Sequence, residues 1–282
     1  MQISLGNVSM QTLIDSFDLK GWQRLSNKIE FLTPTIETGK PAPSQDIGEV
    51  IGIIQKLNLG AGDGSLAISD LQISQHGDPS FGVHEIAFGV DYDNHRRPGE
   101  YRLALSWQDL DVSDLEFSRE FFTHNGSLKL ELKRFPARQI LIRMMRQIQD
   151  TNAAMAFDEG DAMQLVTTHL LHTNQTAIHI KELILESPAA SIRATGSLTA
   201  EAESALGAIG EARMEVTGLD KLIEIAAKEA LRDESVRGAL AFLAIAKGLG
   251  RPEIAVDGGL AYVFDLMLHL DGRVTINDIP LE

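Results

Sequence analysis

The fold is decided by residues 127–149, SLKLELKRFPARQILIRMMRQIQ, which predict a strand that runs directly into a helix. From Leu128 to Lys133 leucines alternate with charged residues, the period-2 pattern of a strand with one buried face. Pro136 marks the change, because proline cannot donate to a sheet but fits the first turn of a helix. From Ile140 onward the apolar residues recur at helical spacing. The stretch is therefore predicted to form one strand-helix unit.

The same pattern returns later in the chain. Alternation runs from Ala212 to Thr217, and helical spacing follows from Leu222 to Ala230. Two copies of one unit indicate a structural repeat. We therefore predict two related halves, in which the two strand-helix units occupy equivalent positions.

The order of the elements predicts an α+β fold, since short strands come in runs that helix pairs interrupt. Residues 1–158 are predicted to form an N-terminal β-rich half with helices. Residues 159–282 are predicted to form a C-terminal half with strands, a helix pair and a final hairpin. Residues 31–38 are assigned to a strand that Pro34 interrupts. Because many strands are amphipathic on one face only, we expect mainly antiparallel curved sheets with a possible apolar groove.

The composition disfavours several classes of protein. With 44% hydrophobic residues among 282, the chain can bury a substantial core, and its net charge of -15 disfavours nucleic acid as a partner. The absence of cysteine excludes disulfides and thiolate sites but fits an oxidising or a reducing compartment. The longest nearly apolar run, Gly238 to Leu249, has about 12 residues, whereas a membrane span needs about 20. Neither a signal peptide nor an anchor is expected at Met1.

A basic helix is the first candidate site. Between Glu131 and Asp150 the chain carries several cations and no acidic residue, although its net charge is strongly negative. We predict that three of these cations contact anionic lipid headgroups or a membrane surface: Arg138, Arg143 and Arg146. The alternative is that this face pairs with acidic neighbours or is only solvated.

A second helix suggests a cavity for an apolar ligand. The stretch from Val236 to Leu249 is apolar nearly all round, which is typical of a buried core helix. The alternative is that this helix lines a groove for an acyl chain. In that case we expect four residues to border one apolar cavity: Met144, Met145, Phe242 and Leu243.

Motifs for catalysis and for metal binding are weak. His169, His172 and His179 have no carboxylate at the spacing of a His-Glu-x-x-His zinc site, and no Gly-x-Ser-x-Gly elbow occurs in the chain. We therefore predict that the protein is not an enzyme and has no catalytic residues, metal or cofactor. The alternative is a hydrolytic enzyme, because a Ser-His-Asp triad is assembled in space and needs no sequence motif.

Three motifs in the final third carry a family resemblance: ATGSL at 194–198, VTGLD at 216–220 and LHLDGRVTINDIPL at 268–281. On these motifs the chain resembles the domain-of-unknown-function family 2125 and, more loosely, the AsmA-like and YdgA-like bacterial envelope proteins. Asp278 stands where their closing strands carry glycine. The resemblance implies a periplasmic protein, normally tethered to the inner membrane, that binds or moves lipid in an apolar β-groove. The alternatives are an envelope scaffold module without ligand, and a cytoplasmic location.

Overall fold

A computed structural model of the chain describes residues 2–15, 18–37, 43–58, 60–75, 78–95, 98–112, 123–150, 175–231, 234, 236–255 and 258–281. The helices of this part are α1 (Leu19–Glu37), α2 (Ser44–Lys56), α3 (Ala137–Asp150), α4 (Leu219–Glu229) and α5 (Val236–Leu249). The strands are β1 (Gln2–Ser4), β2 (Asn7–Asp15), β3 (Ala61–Gln75), β4 (Asp78–Asp93), β5 (Gly99–Gln108), β6 (Asp111–Val112), β7 (Asn125–Phe135), β8 (Ala177–Glu186), β9 (Ser191–Ala200), β10 (Ala208–Thr217), β11 (Arg251–Ile254), β12 (Leu260–Leu268), β13 (Val274–Ile276) and β14 (Ile279–Leu281).

All of these strands belong to one curved sheet that does not close, and their pairing is antiparallel throughout. The order is β1-β3-β4-β5-β7-β8-β9-β10-β12-β13-β14, while β2, β6 and β11 pair with β3, β4 and β12. The predicted α+β class, antiparallel pairing and curvature are confirmed. The strands of the two predicted halves share this single sheet, because β7 pairs directly with β8. The predicted boundary after residue 158 lies outside the described residues.

A bulge in β8 keeps its apolar residues on one face of the sheet. Ile178 and Ile180 precede the bulge, and Leu183 and Leu185 follow it, so the alternation changes phase within the strand. At this point the register of β8 shifts against both of its neighbours, β7 and β9. In a regular strand without this bulge, the two leucines would point to the opposite face from the two isoleucines.

Helix α1 corrects one prediction. The strand predicted over residues 31–38 is wrong, because α1 continues through Pro34 to Glu37. Leu25 and Leu32 lie two turns apart on this helix, and both are buried in a cluster with residues of α2. This packing outweighs the cost of the proline, which lies in the last turn, where the loss of one backbone hydrogen bond disrupts the helix least.

The helices lie at opposite ends of the strands. β2 ends at Asp15, which pairs with Ala61 at the start of β3, so α1 and α2 connect the strands at this end. α3 follows Phe135, which pairs with Gly99 at the same end. β10 lies three strands from β7 and runs in the opposite direction, so α4 and α5 follow Thr217 at the other end. None of the described helices has both the length and the hydropathy of a membrane span.

Candidate functional site

One face of the sheet is apolar across most of its strands, and we call it the apolar face. Strand pairing places nine residues from nine strands in a single row, in which each residue lies opposite the next. This row comprises Met10, Leu66, Phe88, Leu105, Leu128, Leu183, Ala194, Met214 and Phe264. Residues opposite one another in paired strands point to the same face, so the nine side chains form one continuous surface.

A second row extends the apolar face without adding charge. It comprises Thr12, Gly64, Val90, Leu103, Leu130, Ile180, Gly196, Ala212, Leu266 and Ile276. Neither row contains a charged side chain. At a spacing of about 4.8 Å between strands, the ten strands of this row span about 40 Å along the sheet.

Much of the apolar face is open to solvent. Leu66, Phe88 and Leu105 are exposed, although each lies on a strand with neighbours on both sides. Towards the C-terminal end of the chain the face is covered, because Leu243 and other residues of α4 and α5 pack against a cluster that includes Phe264. Within the part of the chain that the structure describes, the two rows therefore join a buried core beneath α4 and α5.

A recess of about 330 Å³ lies within the apolar face, between β8, β9, β10, β12 and β13. Its walls are aliphatic, with Ile178 and Leu198 among them. Two of the lining residues, Gly196 and Gly210, have no side chain to fill the recess. A Cβ added at Gly210 would lie 3.0 Å from Leu198 Cδ1. The recess has the size of a small-molecule pocket, for which about 300–1,000 Å³ is usual. It can take an apolar group but offers few polar partners.

The opposite face of the sheet carries ion pairs. Glu131 Oε2 lies 3.0 Å from Lys181 Nζ and 3.4 Å from Lys133 Nζ, while Oε1 lies 3.5 Å from Arg102 Nε. The ion pair with Lys181 and then the charge of Lys133 hold the pKa of Glu131 below its ordinary value, against the effect of burial. Burial, followed by the charge of Lys133, lowers the pKa of His179. We call the face of the sheet that carries these ion pairs the polar face.

The four residues predicted to line one cavity lie in two separate groups. Met145 packs against the buried cluster formed by α1 and α2. Leu243 packs against the cluster beneath α4 and α5. Since α3 and α5 follow strands at opposite ends of the sheet, Met144 and Met145 do not share a cavity with Phe242 and Leu243, and that prediction is wrong. Phe242 is 70% exposed, so the interpretation of α5 as a buried core helix is also wrong.

The three predicted headgroup ligands also differ from one another. Arg138 Nη1 donates to the carbonyl oxygen of Gln55 at 2.7 Å, and Nη2 donates to that of Leu57 at 2.5 Å. These contacts hold the C-terminal end of α2. Among the described residues, Arg143 and Arg146 form no ion pair. Contact of these two arginines with a headgroup stays a prediction.

The residues of the two rows were missed as a candidate site. Alternation within single strands was visible, for example in β7, but the rows also require the register between strands. The amphipathic strands from β2 to β13 are the signal behind the predicted apolar groove, but they do not show which residues of different strands lie opposite one another. Such a series predicts a sheet with one apolar face, even where the register is unknown.

The described His, Asp and Glu side chains do not form a metal site. No group of three or more His, Asp or Glu side chains within the described ranges is arranged to hold a metal ion. His169 and His172 lie outside the described residues.

Comparison with protein-family models, with curated proteins and with solved structures gives no match. The resemblance to the domain-of-unknown-function family 2125 therefore stays a prediction.

Proposed function

We propose that the protein binds lipid, or another long apolar molecule, on the apolar face and that it is not an enzyme. The observation that carries this proposal is the pair of uncharged rows, which lie partly open to solvent across about 40 Å of sheet. Soluble proteins seldom expose contiguous apolar surface beyond a few hundred Å², and larger patches mark binding sites or interfaces. Holding or moving a lipid is the function that such a surface serves best.

The chemistry of the surface suits an acyl chain more than a compact polar molecule. Each CH₂ group that leaves water contributes about 0.8 kcal/mol, so ten methylenes contribute about 8 kcal/mol before the cost of immobilising the chain. A site for a polar metabolite instead places a few convergent polar groups around its ligand. In the two rows, Thr12 has the only polar side chain, and all other polar groups belong to the backbone.

The cellular setting belongs to the same proposal. The resemblance implies a bacterial envelope protein in the periplasm, anchored to the inner membrane, and lipid handling on a β-sheet agrees with that setting. The ligand would then be a membrane lipid, and the partners would be a membrane surface or another envelope protein.

A scaffold module without ligand is the second candidate, and the outer edge of the sheet favours it. No described strand pairs with the outer side of β2, and residues 3–15 are exposed. From Gln2 to Ile14 no residue is charged. Edge strands usually carry charges or proline that prevent the addition of a further strand, so β2 is suited to pairing with a partner chain.

Native mass spectrometry of the purified protein, combined with lipid extraction, tests the leading proposal. We expect lipid in the wild-type protein, and uptake of a fluorescent fatty acid after lipid is removed. Leu198→Asp places a carboxylate on the apolar face at the wall of the recess, and we expect it to weaken this uptake at least about tenfold. Thr195→Asp is the matched control, because Thr195 is exposed on the same strand but on the polar face.

Two results would count against lipid binding. One is a wild-type protein that contains no lipid and takes up none. The other is equal uptake by the two aspartate variants, provided that both have the circular-dichroism spectrum of the wild type. A protein without ligand that pairs with a partner through β2 would support the scaffold instead.

A further inference from the structure

The outer side of α5 is apolar and exposed, whereas its inner side packs on the apolar face. Leu243 and Leu249 belong to the inner side and contact the cluster beneath α4 and α5. On the outer side Phe242 is 70% exposed and Ile245 is 63% exposed. These two residues are three positions apart, so their side chains are neighbours on the helix surface. Three small residues, Gly238, Ala241 and Gly248, also lie on the outer side, together with the exposed Arg237 near the start of the helix.

The hairpin after α5 adds a second exposed apolar pair. Ile254 of β11 pairs with Leu260 of β12, and the two side chains are 83% and 51% exposed. Leu260 alternates with Tyr262 and Phe264 along β12, so it points to the apolar face. α5 lies on this same face, and β11 begins directly after it. Both exposed pairs therefore lie on the same side of the sheet, in consecutive elements.

Among the described residues, both cations of α5 form ion pairs. Lys247 Nζ lies 2.6 Å from Asp220 Oδ1, and Arg237 Nη1 lies 2.7 Å from Glu234 Oε1. The net charge of -15 opposes approach to an anionic surface. A zwitterionic bilayer has no net charge, and its interface accepts apolar side chains of an amphipathic element. The charges therefore favour a zwitterionic over an anionic membrane.

The size of the surface favours a bilayer over a second copy of the chain. Full burial of an aliphatic or phenylalanine side chain removes roughly 60–120 Å² from water, so four partly exposed side chains offer roughly 200–400 Å². A stable protein–protein interface buries about 800 Å² on each partner. A bilayer sets no such minimum, because each inserted side chain contributes separately.

We propose that Phe242, Ile245, Ile254 and Leu260 form a docking surface for a zwitterionic lipid bilayer. This inference rests on the proposed function for its purpose, since docking brings the apolar face next to its source of lipid. Its test does not depend on that function. The contact is apolar and lies at the α4–α5 end of the strands, away from the basic helix α3.

Flotation with phosphatidylcholine vesicles measures the docking directly. We expect the wild-type protein to float with the vesicles, equally at low and high salt. The double variant Phe242→Asp, Ile245→Asp should lose at least about tenfold in its partition coefficient, because two inserted side chains become charged. Phe31→Asp is the matched control, since Phe31 is similarly exposed on α1 at the other end of the sheet. Charge reversal of Arg143 and Arg146 should have no effect on these neutral vesicles.

Each alternative has its own outcome. The proposal is overturned if the wild type does not float, if Phe31→Asp reduces flotation as much as the double variant does, or if the reversed arginines abolish it. A wild type that is dimeric by light scattering, with a monomeric double variant and no flotation of either, would assign the surface to a second copy. Ile254→Asp, at the hairpin, supplies an independent variant and should also weaken flotation.

Lipid content separates this test from that of the proposed function. A double variant that loses flotation but still takes up fluorescent fatty acid supports the docking surface and leaves the apolar face as the ligand site. A protein that floats but takes up no fatty acid would retain the docking surface and contradict the proposed function.

Discussion

Replacing Arg138 with alanine is expected to destabilise the protein, because its guanidinium group caps the end of α2. The two bonds, at 2.7 Å to Gln55 and 2.5 Å to Leu57, reach carbonyl oxygens at the last turn of that helix. Carbonyl groups at a helix C-terminus have no partner within the helix, and the helix dipole makes this end negative. A fixed cation at this position satisfies both requirements.

The size of the effect follows from the burial of the two acceptors. A hydrogen bond to a charged group contributes about 1.5–3 kcal/mol, and the contribution is smaller where water can replace the donor. Gln55 is exposed, whereas Leu57 is buried in the cluster with α1, so most of the loss falls on Leu57. With about 0.3–1 kcal/mol for the dipole, Arg138→Ala should lower the free energy of unfolding by about 2–4 kcal/mol.

Urea denaturation followed by circular dichroism measures this change. Arg143→Ala is the matched control on the same helix, because Arg143 forms no ion pair among the described residues, and it should change stability by less than about 0.5 kcal/mol. Arg138→Lys, which keeps the charge but loses the fork of donors, should fall between these two variants. Equal stability of Arg138→Ala and Arg143→Ala would refute the capping argument. A loss of binding to anionic vesicles in Arg138→Ala at unchanged stability would instead support Arg138 as a headgroup ligand.

Three further predictions follow from the two faces of the sheet. Glu131→Gln should cost about 1–2 kcal/mol at pH 7. Since the pKa of Glu131 is lowered in the folded state, this contribution is present above the unfolded pKa, so in urea titrations the difference from wild type should shrink as the pH falls below about 4. Gly126→Ala should destabilise the protein by about 1–3 kcal/mol in the same assay, because the added Cβ would overlap the ring of Trp107; no change would contradict the packing. Fatty acid at 100 times its Kd should stabilise the lipid-free protein by about 2.7 kcal/mol in thermal or urea unfolding, whereas a scaffold without ligand should show no change.

The sequence predicts the elements of the C-terminal part well, because its strands alternate cleanly. β10, α4 and α5 lie where the pattern indicates them, and β12 and β13 form the predicted final hairpin. Residues 31–38 were assigned wrongly, because Phe31 and Ile36 with β-branched neighbours favour a strand locally, and packing of α1 against α2 overrides that preference. Local preference decides an element only where tertiary contacts do not oppose it.

The candidate site was harder to predict than the fold. The strand-helix units at residues 127–149 and 212–230 have similar sequence patterns, which predicts equivalent positions in two related halves. Their strands are separated by β8 and β9, however, so they run in opposite directions and their helices lie at opposite ends of the sheet. The number of strands between β7 and β10 decides at which end of the sheet each helix lies. The repeated sequence pattern alone does not give that number. The sequence likewise does not predict the exposed outer side of α5, because an apolar helix is usually buried.

The polar face explains how an apolar face that is partly open can still have a defined register. Register is normally fixed by burial of one face, and that constraint is weaker where the face meets solvent. Here opposite charges lie directly across from one another: Arg102 faces Asp91 on one side and Glu131 on the other, and Lys129 faces Glu182. Each such pair contributes only about 0.2–1 kcal/mol. A slip of one residue would nevertheless break all of the pairs together and move charged side chains to the apolar face. The charges of one face thus specify the alignment of the strands and leave the other face available for a ligand.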